Sequence, residues 1–139
     1  MSTGASNLNW LIGRFVDAVP AVRKAVVVSS DGLAMAVSLD VDRESADRLA
    51  AVASGMIGLA YGSAGRMGAG AVSNVIVEMT NGWLFVTWIS DGSLLCALTT
   101  RSVDIGSVAY QMALFAERAG QVLTPEVREE LKMELVSSE

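Results

Sequence analysis

Seventeen residues between Arg48 and Arg66 carry no charge, and four of them are glycine. The acidic stretch Asp40–Glu44 ahead of them suits the positive end of a helix macrodipole, and the helical pattern runs to about Met67. At about 100° per residue, Leu49, Val52, Ala53, Met56, Ala60, Ala64 and Met67 gather on one face. Ala51, Gly55, Gly58, Gly62 and Gly65 gather opposite, within about 40° of one line. Ile57, Leu59 and Tyr61 fill the flanks. A helix apolar all round is covered on more than one side. Each interior glycine costs about 1 kcal/mol relative to alanine, so the stripe needs a reason. Close approach of another backbone supplies one, most simply the same helix of a second subunit across a two-fold axis.

A membrane span is the rival reading. Seventeen residues lie at the lower limit for crossing, and Gly58-x-x-x-Gly62 has the small-residue spacing of paired membrane helices. Against it, the run is rich in Ala, Gly and Ser, and the β-type runs on both sides need this helix as cover. A phosphate loop at Gly65–Gly70 fails on context. The stretch follows a helix instead of opening one and lacks the Gly-Lys-Ser/Thr element.

Around this helix the period is that of strands. Lys24–Ser29 and Leu33–Leu39 flank Ser30-Asp31-Gly32, a hairpin signal because Gly takes positive φ without steric cost. Ala71–Met79, Trp83–Ile89 and Leu94–Leu98 follow, separated by Asn81-Gly82 and Asp91-Gly92. Trp83, Phe85 and Ile89 face one way, and Leu84, Val86 and Trp88 the other, so the sheet needs a layer on each side. Leu8, Leu11, Ile12, Phe15 and Val19 mark a first helix, capped by Asn7 and stopped by Pro20. Ile105, Val108, Ala109, Met112, Phe115 and Ala119 mark another, with Thr100 or Ser102 as cap and Gly120 at its end. Thr124-Pro125-Glu126 opens a short last helix lined by Val127, Leu131 and Leu135. The order α-β-β-α-β-β-β-α predicts an α+β sandwich. Residues 1–6 read as a frayed start, 7–120 as one domain and 121–139 as an acidic tail that docks on its own domain or frays.

Composition removes several chemistries. With no His, there is no Ser-His-Asp triad and no His-ligated metal, and the single Cys96 cannot form an internal disulfide. Cys96, mid-strand, reads as a buried structural thiol. The net charge of −5 comes with no basic cluster, which argues against nucleic acid. Signal-peptide features are absent, so an acidic cytoplasmic domain is expected. At 52% hydrophobic residues, a domain this small is expected to meet a partner through apolar surface.

The hairpin AVVVSSDGLAMAVS (Ala25–Ser38), the meander VIVEMTNGWLFVTWISDGSLLCALTT (Val75–Thr100) and the helix VDIGSVAYQMALFAERAG (Val103–Gly120) together resemble the Roadblock/dynein light chain family, in its bacterial, actinobacterial-type branch. The resemblance spans about Leu8 to Gly120. It implies a five-stranded antiparallel sheet with the middle helix on one face and the terminal helices on the other. It also implies a homodimer through the middle helix and the following edge strand. The interface would then hold Ala51, Gly55, Gly58, Gly62 and Gly65 with Val75 and Val77. Bacterial members resemble regulators of small Ras-like GTPases, one of them a GTPase-activating protein acting through its dimer. Actinobacterial members resemble a group encoded beside a sensor-kinase-like protein and a small GTPase. No cofactor, metal or catalytic residue is carried over.

Two functions follow from the resemblance. One is a non-catalytic module that binds a Ras-like GTPase and shifts its switch loops, with Arg48, Arg66 and Arg101 as candidate contacts. The other is a scaffold that joins a sensor-kinase-like protein and a GTPase at the inner face of a membrane without affecting hydrolysis. The ordinary reading of each arginine is a solvated helix end or turn. A pocket lined by Trp83, Trp88 and Tyr110 is the third possibility, weighed against those aromatics being core. Asp31, Asp91 and Asp104 sit where turns and helix starts use Asp for local hydrogen bonds. Glu78 interrupts an apolar strand and is expected to face solvent or pair across a dimer.

Overall fold

The structure is a computed structural model that describes residues 3–137. Helix α1 (Thr3–Ala18) leads into β1 (Val22–Val28) and β2 (Ala34–Val37). Helix α2 (Arg43–Met67) crosses to β3 (Asn74–Met79), β4 (Gly82–Trp88) and β5 (Leu94–Thr100), and α3 (Ile105–Val122) and α4 (Pro125–Ser137) close the chain. The strands form one antiparallel sheet in the order β2-β1-β5-β4-β3.

Alternation along the strands divides the core into two layers. On one face Val27, Phe85, Ile89 and Leu95 pack with Leu8, Ile12 and Phe15 of α1, Met112 and Phe115 of α3, and Leu131 of α4. The rings of Phe15 and Phe115 meet edge to face at 6.0 Å. On the other face Val26, Val28, Leu84, Val86, Leu94 and Cys96 pack under Ala46, Ala50, Ala53 and Ile57 of α2. The sheet is therefore apolar on both sides, as the mixed pattern of β4 requires. The two Asp-Gly turns are built alike, with Gly32 at φ 87° and Gly92 at φ 92°, and they lie at the same end of the sheet because Val28 pairs with Leu94.

Several local expectations give way to tertiary packing. Helix α1 begins at Thr3, so Asn7 lies inside it and residues 4–6 are not frayed. Ala5 is fully buried, and Gly4 meets α4 so closely that a Cβ there would sit 2.5 Å from Val127 Cγ2. Residues 1–2 lie outside the described part. The cap of α3 is Asp104, whose Oδ1 accepts from Ser107 N at 3.2 Å, and neither Thr100 nor Ser102 serves. Thr100 instead ends β5, opposite Gly82. Gly120 lies inside α3 and does not end it, and its lack of a side chain serves packing, since a Cβ there would collide with Ser90 Oγ. A boundary at residue 120 thus falls within a helix.

Helix α4 docks on the domain. Val127 and Leu131 are buried, and Arg128 Nη1 meets Asp91 Oδ2 at 2.9 Å. Lys132 Nζ stands 3.5 Å from Asp31 Oδ2, so two bases one turn apart tie α4 to both Asp-Gly turns.

Candidate functional site

Helix α2 is held at both ends by local chemistry. Asp42 Oδ1 accepts from Ser45 N at 2.8 Å, and this hydrogen bond leads the causes that keep its carboxyl below the usual 3.8. Glu44 in the first turn and Arg66 in the last both favour the macrodipole. Gly68, at φ 67°, ends the helix in the left-handed conformation, and Gly70 at φ 85° continues the turn.

The inward face of α2 is Ala46, Ala50, Ala53, Ile57 and Ala64. This corrects the arc expected from the sequence, in which Val52 and Met67 pointed inward and Ile57 sat on a flank. Both are exposed, and Ile57 is buried. Alanine brings the helix close to a sheet already filled by Val and Leu, so the best-fitting arc is the small one rather than the most hydrophobic.

The glycine stripe faces outward. Ala51, Gly55, Gly58, Gly62 and Gly65 are all exposed, and a Cβ at any of the four glycines would meet nothing within 4 Å. Nothing within the described chain requires these residues to be glycine. Around them stand apolar side chains, with Leu59 78% exposed and Tyr61 exposed with its ring 6.1 Å from that of Trp88. Strand β3 borders this face. Val75 and Val77 lie on its α2 side, half-buried against that layer, and Ile76 is exposed on the other. The two sheet edges differ. Helix α4 lies along β2, with Leu131 and Leu135 beside Met35 and Val37, whereas among the described residues no strand or helix covers the outer edge of β3. An uncovered edge with unpaired backbone groups is a template for a second chain.

The Roadblock/LC7 domain profile matches residues 8–99. The chain belongs to the Roadblock/LC7 domain family. A Roadblock/LC7 domain from Streptomyces avermitilis is 36% identical, covering 79% of this chain and 92% of that one, with a TM-score of 0.74. MglB from Myxococcus xanthus shares the fold at 15% identity and a TM-score of 0.76, covering 84% and 94%. The gliding protein MglB from Thermus thermophilus does so at 15% identity and 0.77, covering 88% and 92%. Comparison with curated proteins gives no match. No helix among the described residues is long and apolar enough to cross a membrane.

In this Roadblock domain the three candidate arginines do not form one site. Arg48 and Arg66 both project from the outer face of α2, five turns and about 27 Å apart. Arg48 Nη2 bonds Glu44 Oε1 at 2.8 Å, and Arg66 has no ion-pair partner among the described residues. Arg101 belongs to the opposite layer. It pairs with Glu78, stacks 5.1 Å over the Trp83 ring and donates from Nη1 to Met79 O at 3.4 Å. Glu78 is thus paired within its own chain.

The aromatic pocket does not assemble either. Trp83 and Trp88 lie on opposite faces of the sheet, and Tyr110 is exposed on α3. Asp91 accepts from Ser93 N and Ser93 Oγ at 3.0 and 2.9 Å, and Asp31 accepts from Ser29 Oγ. The Ser29 bond is the main reason that the Asp31 carboxyl lies below 3.8. Cys96 is buried, and burial pushes its thiol up to about 12. The role of Arg128 and Lys132 in seating α4 was missed from sequence, although two bases at i, i+4 in an acidic helix were the available signal.

Proposed function

We propose that this Roadblock domain is a non-catalytic homodimeric module that binds a small Ras-like GTPase and regulates it. The outward glycine stripe of α2, continuous with the uncovered β3 edge, supports the reading most directly. Ala51, Gly55, Gly58, Gly62 and Gly65 would let the α2 helices of two copies approach closely, while Val75 and Val77 join the two sheets along β3. The resemblance to bacterial GTPase regulators supports the partner class.

GTP hydrolysis needs charge neutralisation and a positioned water, and a partner helps by supplying an Arg or by ordering the GTPase's own groups. Arg66 is the better candidate because no carboxylate among the described residues holds it, Arg48 comes next, and Arg101 is committed to Glu78. The deciding experiment titrates the chain against the Ras-like GTPase encoded nearest its gene, loaded with GDP or a GTP analogue, with hydrolysis followed in parallel. Tighter binding to the GTP form with faster hydrolysis identifies an activating protein, and Arg66→Ala then lowers the stimulation while the dimer survives. Binding indifferent to nucleotide, with hydrolysis unchanged, leaves the scaffold joining a sensor-kinase-like protein to the GTPase. No binding at all refutes both.

A further inference from the structure

A β-turn at the end of β2 carries an apolar side chain where turns are ordinarily polar. Val41 N donates to Ser38 O at 3.4 Å, which makes Leu39 and Asp40 the two corners of the turn. Asp40 takes φ 66°, in the left-handed region that Asp tolerates better than most residues. Leu39 is 91% exposed, more than any other large apolar side chain among the described residues. The turn is nevertheless firmly based. Ser38 is buried, its N donates to Ala25 O at 2.9 Å, and its Oγ accepts from Ala25 N at 3.0 Å. Among the described residues the Asp40 carboxylate has no ion-pair partner. A protruding side chain on so fixed a base binds with little loss of conformational freedom.

The layer of α1 and α3 holds a matching recess. Between the two helices opens a cavity of about 60 Å³ lined by Leu11, Phe15, Leu114 and Phe115, with Arg14 and Arg118 in its walls. Neither guanidinium has a carboxylate partner among the described residues, although both border one small cavity. Arg14 is steadied by stacking 5.0 Å over the Trp10 ring. Asp17 and Glu117 stand on the same helices but do not line the cavity. Two like charges beside an apolar recess fit a ligand that brings an aliphatic group and a carboxylate together. One carboxylate can accept from two guanidiniums at once.

We propose that the Leu39–Asp40 turn of a second copy of this chain docks in the α1–α3 groove, with Leu39 in the cavity and the Asp40 carboxylate between Arg14 and Arg118. Adjacent corners of one turn supply both groups that the groove lacks. An apolar anchor seated in a pocket and ringed by polar contacts is the usual centre of a protein interface. Turn and groove are different patches, so the contact is heterologous, and each copy gives its turn to one neighbour and its groove to another. It uses neither the outward face of α2 nor the β3 edge, so it is independent of the dimer proposed there.

The test is sedimentation velocity of the full chain in a Gly58→Leu background, which blocks pairing through α2 and leaves turn and groove intact. In 50 mM NaCl the expected result is association beyond the monomer below about 1 mM, with a dissociation constant at least about tenfold weaker in 500 mM NaCl. Arg14→Glu with Arg118→Glu spoils the groove. Leu39→Ser with Asp40→Asn spoils the turn, and Asn suits the left-handed corner. All four side chains are exposed, so the fold is spared. Each variant alone is a monomer over that range. Mixed in equal amounts, the two form a one-to-one pair with the parent affinity and grow no further, because only one complete contact is left. The proposal is overturned if the parent stays monomeric, if either variant associates as the parent does, or if the mixture does not pair. Binding of the parent to vesicles of anionic lipid in place of self-association assigns the arginines to a lipid surface and also overturns it.

Discussion

Replacing Gly55, Gly58 and Gly62 together by alanine sets two parts of the structural reading against each other. Within one chain the substitution is free of conflict, because a Cβ at each position meets nothing within 4 Å. Each change removes a helix-interior penalty of about 1 kcal/mol, so the isolated fold gains about 2–3 kcal/mol. At this chain length that raises the midpoint of thermal unfolding of the monomer by roughly 6–9 °C. If the stripe packs against a second copy, the same methyl groups fall where two backbones meet. Overpacking costs about 1–3 kcal/mol per site, and every 1.4 kcal/mol is tenfold in affinity, so the dimer weakens by more than a hundredfold. Analytical ultracentrifugation across concentration reads the dimer, and thermal unfolding of dilute protein reads the monomer. The expected variant is a more stable monomer and a poorer dimer. A variant that dimerises as tightly as the wild type removes the stripe from the interface. One whose monomer is destabilised shows that the glycines are needed within the chain, against the geometry.

Gly82→Ala destabilises the fold by about 2 kcal/mol or more, since its Cβ would strike the Thr99 carbonyl, which is fixed backbone. Gly120→Ala costs less, because Ser90 Oγ can rotate away, and urea unfolding of the two variants checks that order. Arg128→Ala loosens α4 by about 1 kcal/mol, and Asp91→Ala costs more because it also strips two hydrogen bonds from Ser93. Hydrogen exchange of α4 amides reads both. Asp42 has its folded pKa held below 3.8, so its contribution is complete above that value and is lost as the pH falls through the folded value. Asp42→Asn keeps a capping oxygen and flattens the acid side of the stability curve below about pH 4, as measured by urea midpoints at each pH. With its thiol pushed up to about 12, Cys96 resists a thiol reagent at pH 8 until the chain unfolds, and fast labelling of the native protein refutes that placement.

Much of the candidate surface was legible before the fold. The glycine stripe stands out because no single helix gains from it, and Val75 and Val77 follow from the edge strand of a resembling family. The three arginines looked equivalent in sequence and are not. Arg101 is drawn to Glu78 and Trp83 by a cross-strand register that brings Trp83 opposite both Glu78 and Thr99. That contact exists only once three successive strands have paired side by side, with β4 between the Glu78 strand and the strand that leads to Arg101.

Signals confined to a few residues survived folding intact. Period-two strands, twin Asp-Gly turns, the acidic start of α2, its end at Met67 and the Thr124 cap of α4 depend on neighbours a turn away, so the sequence determines them. Tertiary structure decided what several local solutions left open. It chose the alanine arc of α2 over a more hydrophobic one and carried α1 back to Thr3 against α4. It placed Gly120 under Ser90 and turned the α4 bases toward the two Asp-Gly turns. Periodicity gives each helix a face, but the depth of the groove awaiting it is set by side chains from other elements, and that fit exists only once the layers have met.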